Sequence, residues 1–128
     1  MITIKTIPHK QHRYDGTVGD WWWTKDGDLE IRVSQMSDWR YEACVAVHEL
    51  VEALLCKHAG VSQESVDEFD IEFEKQRKKS LTLSTAEPGD SRFAPYRTQH
   101  CIATGVERVL AAVLWVNWSD YETEINSL

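Results

Sequence analysis

The sequence predicts an α+β fold, in which a small three-stranded antiparallel β unit at residues 1–35 packs on three main helices in residues 37–126. Two observations carry this. Period-two alternation is confined to the first 35 residues, whereas apolar residues at helical spacing fill most of the chain beyond residue 37. The breakers also fall between these runs: Asp26-Gly27 between two β-prone stretches, and Gly60 after the longest apolar-rich segment. A chain of 128 residues fits one domain, 1–128, and at that length roughly two-thirds of the unfolded surface is buried on folding.

Ile2 to Ile7 (ITIKTI) alternates and stops at Pro8, as a strand does. Residues 9–17 have loop composition, with Asp15-Gly16 as a turn. Val18 to Thr24 and Leu29 to Ser34 form a hairpin around Lys25 to Asp28. The consecutive Trp21, Trp22 and Trp23 put aromatics on both faces, core on one side and helix packing on the other. Ser37 or Asp38 caps the central helix, about 38–59, which Gly60 closes. Ser62 caps a second helix, rich in acids, that runs to about Lys79. The long connection from Ser80 to Ala94 contains Pro88-Gly89-Asp90 and is of a length that often serves function. Pro95 opens a third helix, to about Val116, and Ser119 caps a short terminal turn through Asn126.

A net charge of −7 argues against nucleic-acid binding, which needs a basic face. The one basic run, Lys75 to Lys79, suits a helix C-terminus. MITIKTIPHK lacks the apolar stretch of a signal peptide, and no apolar run reaches the 18 residues of a membrane span. Cys44, Cys56 and Cys101 cannot all pair within one chain, so buried free thiols in a reducing cytoplasm are expected.

The chemistry concentrates in the central helix. His48-Glu49-Leu50-Val51-Glu52 places His48 and Glu52 about 40° apart on one helical stripe. Apolar neighbours make these charges costly to bury without a partner or a bound ion. HExxE differs by one residue from HExxH, whose two histidines hold zinc while the glutamate acts on a bound water. Glu49 is then the candidate base and His48 and Glu52 the candidate ligands. In the third helix His100 and Glu107 share a stripe within about 20°. If the two helices pack antiparallel, His100 supplies the third ligand and Glu107 orients it. Asp70 is the rival third ligand, and Asp67 is an alternative carboxylate on the same helix. Simple ion pairing of His48 with Glu52, or of His100 with Glu107, is the plain alternative, and His9, His12 and His58 are expected on the surface.

From Leu29 to Gly60, a strand followed by a helix with His48 and Glu49 resembles small zincin-type metalloproteins, which implies Zn²⁺ and hydrolase activity. Over about residues 17–121, HELVEALL, GVSQESVDEFD and APYRTQHCIATGVERVLA resemble uncharacterised small phage and prophage proteins, which implies the cytoplasm of a bacterial host and no stated activity. A second enzyme resemblance is to all-α nucleoside triphosphate pyrophosphatases of the MazG and dimeric dUTPase type. It maps Glu49, Glu52, Glu64 and Asp67 onto ligands for Mg²⁺. The acidic charge also permits a non-enzymatic binder of a host protein.

Overall fold

β3, Leu29–Ser34, is the centre of the structure, a computed structural model that describes residues 1–79 and 86–128. Its apolar Leu29, Ile31 and Val33 alternate with Glu30 and Arg32, so one face is fully buried and the other meets solvent. β2, Gly19–Trp23, pairs antiparallel with it through the Lys25–Asp28 turn, where Gly27 takes the left-handed conformation at φ 84°. β1, Ile2–Ile7, pairs with the other side of β3, and this pairing is parallel. The sheet is therefore mixed, where the sequence suggests an antiparallel unit throughout.

The cause lies in residues 8–18, which form no hairpin. They carry the chain from the end of β1, over the end of β3, to the start of β2. Ile7 and Val18 carbonyls accept from Gln35 and Ser34 at that end. The buried hydroxyl of Ser34 lies 2.8 Å from both His9 Nδ1 and His12 Nε2 and so pins the crossing segment. These two histidines are half-buried clamps, not the surface residues that their sequence context suggests.

α1, Trp39–Ala59, begins at Asp38, whose carboxylate accepts from the Arg40 amide, and ends at Gly60 with φ 74°. It covers β2 and β3 with one face and packs on α3, Arg97–Val113, with another. Three contacts fix the direction of that pair. The Arg40 guanidinium reaches the Leu114 carbonyl at 3.0 Å, His48 meets Glu107, and Glu52 meets His100. As residue numbers rise along α1 they fall along α3, so the helices are antiparallel.

α2, Gln63–Lys78, is capped by Ser62. α3 stops at Val113, short of the expected Val116, and Trp115 turns the chain at φ 59°. What the sequence suggests as a short terminal turn is a full helix, α4, Trp118–Ser127, and its cap is Asn117 rather than Ser119. The stretch 80–94 is described from Ala86 onward, where Pro88–Asp90 forms a single 3₁₀ turn, and the rest of that expected connection lies outside the described residues. Of the tryptophans, Trp21 faces the core. Trp22 stacks between the Arg13 and Arg32 guanidinium groups, 4.7 and 5.1 Å from its ring, instead of packing on a helix. Among the described residues no single helix is long and apolar enough to cross a membrane.

A candidate metal centre between the first and third helices

The buried face of α1 contains Cys44, Val45, His48, Glu52, Ala53 and Cys56, and that of α3 contains His100, Ala103, Glu107 and Ala111. Ala53, Ala103 and Ala111 are the small residues of these faces, and the ionisable groups meet between the two helices. Glu52 is the hub. Its Oε2 lies 2.9 Å from His100 Nδ1 and 3.2 Å from His48 Nε2, and its Oε1 accepts from the Trp21 indole at 3.0 Å. His48 Nε2 and His100 Nδ1 are themselves 3.2 Å apart. One atom from each of three side chains therefore converges, and all three side chains are buried.

Hydrogen bonding sets what these atoms can do. His48 Nδ1 lies 2.8 Å from Glu107 Oε1, and the other Glu107 oxygen accepts from the Tyr121 hydroxyl at 2.6 Å. With its Nδ1 proton given to Glu107, a neutral His48 presents the Nε2 lone pair toward Glu52 and His100. Lone pairs facing one another across about 3 Å need a cation between them, either protons or a metal ion. In the protonated state burial opposes the charge on His48, but hydrogen bonds to Glu107 and Glu52 prevail and raise its pKa to about 11. For His100 the same opposition is overcome by Glu52 and Glu87, to about 10. Burial alone would raise Glu52, yet bonds to the two histidines hold it near 2.

The sequence expectation that Glu107 orients His100 is corrected here, because Glu107 serves His48. Helical rise is the reason. Seven residues separate the two α3 groups by about 10 Å, too far to meet, and the antiparallel α1 brings His48 to Glu107. His100 instead turns its Nε2 outward, 3.2 Å from Glu87 and 3.3 Å from Asp90.

Glu49 lies beside this cluster and lines a cavity of about 360 Å³ with His48, Glu52, Asp70, Tyr96 and His100. Burial, followed by the nearby Glu52 charge, raises its pKa well above the carboxylate range, and no hydrogen bond contributes to that shift. Gly19 of β2 makes room for it, since a Cβ there would lie 2.6 Å from Glu49 Cγ and Oε1.

Asp70 also faces the cavity, but the phenols of Tyr14 and Tyr96 hold it, the first at 3.3 Å. Burial raises it to about 7. It does not join the three converging side chains, and His100 takes the place for which the two compete in the sequence. Asp67 pairs with Arg13 at 3.4 Å, and Arg13 in turn holds Asp20 at 2.6 Å. Glu64 is exposed and does not line the cavity, and His58 is exposed as expected.

Sequence reasoning gives no site role to Trp21, Tyr121, Gly19, Glu87 or Asp90. The tryptophan and tyrosine carry only an aromatic signal, and the others depend on how loops approach the helices. Compared with protein families, curated proteins and solved structures, the chain matches none.

Proposed function

We propose that this chain is a metal-binding protein whose ion, zinc before any other, is held by His48, Glu52 and His100, and that the centre is built for hydrolysis. The convergence of three ligand atoms carries the reading. A regular tetrahedral site with bonds of 2.0–2.1 Å has ligand atoms about 3.3 Å apart, and the three separations are 2.9, 3.2 and 3.2 Å. Two imidazoles and a carboxylate suit zinc by ligand type. The Glu107–His48 bond is the outer support that metal-binding histidines use, and Tyr121 secures Glu107 in turn.

An ion bound there would supply Lewis acidity and lower the pKa of a water molecule. Glu49 stands at the cavity wall with a raised proton affinity, suited to take a proton from water and return it to a leaving group. The cavity is of a size for part of a peptide or a small ester, and Gly19 keeps its Glu49 side open.

Elemental analysis of the purified protein is the first test. About one zinc per chain at this centre is expected, lost in His48→Ala, whereas Glu49→Gln keeps the metal and abolishes hydrolysis of a peptide or ester panel. A protein free of transition metal that releases pyrophosphate from a dNTP with magnesium would sink the reading in favour of the pyrophosphatase.

A further inference from the structure

We infer that the chain carries a second divalent-cation position on the outer side of His100, formed by His100 Nε2, Glu87 and Asp90. One imidazole would then join two ions. The outer position stands on its own residues, while the joined arrangement rests on the function proposed above.

Four observations point there. The Glu87 and Asp90 carboxylates both approach the same nitrogen, at 3.2 and 3.3 Å, and the three atoms lie within 4.8 Å of one another. His100 is 5% exposed, and among the described residues its buried Nε2 makes no hydrogen bond of regular geometry, although both carboxylates are near it. A ring proton can serve one acceptor in line, and here two acceptors approach the same nitrogen. Flanking oxygens about 3.3 Å away are what an ion between them and the nitrogen would require. Two carboxylates drawn together beside a buried nitrogen repel each other unless positive charge lies among them, and a divalent ion there would supply more of it than the ring proton it replaces.

The backbone is shaped to hold this arrangement. Glu87 precedes the 3₁₀ turn Pro88–Asp90, and the Asp90 amide donates to the Glu87 carbonyl at 3.2 Å, which brings both side chains to one edge. Gly89 lies flat on the imidazole, where a Cβ would stand 2.3 Å from His100 Cγ. No other residue permits that approach. The turn is thus fitted to the ring, and the ring faces the two acids.

One nitrogen and two carboxylate oxygens suit a borderline divalent ion such as Zn²⁺, Co²⁺ or Mn²⁺ better than Ca²⁺. The Glu87 and Asp90 side chains are 55% and 63% exposed, so the ion can enter from solvent and exchange. With His100 Nδ1 committed inward, loading the outer site replaces the ring proton by the cation and releases H⁺. The imidazole then bridges as an anion between two positive centres.

The test is a titration of metal-free full-length protein with Co²⁺, monitored by visible absorption and by calorimetry. Two equivalents are expected in the wild type. The double variant Glu87→Gln/Asp90→Asn, altered only at exposed side chains, should bind one, and His48→Ala should also bind one. A single wild-type equivalent that His48→Ala removes and the double variant leaves untouched overturns the outer site while the inner one stands. A single equivalent with the opposite pattern supports the outer site and sinks the inner one. No saturable binding overturns both.

Discussion

At the scale of single residues, the site separates side chains that touch the proposed ion from those that set their proton positions. Glu107 belongs to the second group, so Glu107→Gln should weaken zinc binding by about 10- to 100-fold without abolishing it, as measured by competition with a chromogenic chelator. A loss no greater than that of an exposed control such as Glu122→Gln would refute the role. Asp70 offers a test away from the cluster. Its folded pKa, raised from 3.8 to about 7 by burial, means that the folded state binds its proton more tightly than the unfolded chain. The associated stability is complete below pH 3.8 and is lost as pH rises through about 7. That rise corresponds to at most about 4 kcal/mol. Asp70→Asn should therefore raise the melting temperature at pH 8 and leave it nearly unchanged at pH 4. An equal shift at both pH values would argue that packing and not charge is responsible. HELVE and His100 were legible as one constellation because i, i+4 spacing within an apolar stripe is visible in the sequence. The partner of Glu107 was not, because it depends on the register of α1 against α3, which no local pattern encodes.

The elements show the same division. Helix limits follow from caps written in the sequence: Asp38 and Ser62 accept from the first-turn amides, and Gly60 takes the left-handed conformation. β1 is different, because alternation specifies a strand and says nothing of its partner. Ile2 and Ile4 remain about half exposed at the sheet edge, so their pattern gives a weak signal of register. What fixes the crossing is the Ser34 hydroxyl between two imidazoles, a contact invisible before folding. Ser34→Ala should leave both ring nitrogens without that partner and cost about 1–3 kcal/mol in denaturant unfolding. It should also loosen residues 8–18, which bring Tyr14 to Asp70 and Arg13 to Asp20 and Asp67. A variant as stable as the wild type would show that the clamp contributes nothing. For α4, Asn117→Ala removes the bond to the Asp120 amide and should cost about 1 kcal/mol. That helix was the least legible, since its apolar stripe is short and much of its anchorage comes from the buried Tyr121.

For the molecule as a whole the net charge is −7, and Glu49, Glu52, Asp70, Glu74 and Glu87 line one cavity together with His48, His100 and Arg77. The overall negative charge draws cations toward the molecule and disfavours polyanions. Binding only to the folded state should stabilise it by about 2.7 kcal/mol at an ion concentration 100 times the dissociation constant, and the melting temperature should rise accordingly. A melting temperature that ignores added zinc would contradict this. The antiparallel pairing of α1 with α3 adds a consequence for the chain between them. Glu52 and His100 stand 48 positions apart in sequence, yet one ion would grip both. It would act as a removable clasp that closes α2 and the connection after it into a ring. For a covalent cross-link, a loop of that length restricts the unfolded chain by roughly 4 kcal/mol. Chelation would open the ring, and a protease acting between residues 60 and 96 would then release two fragments where the loaded protein stays joined.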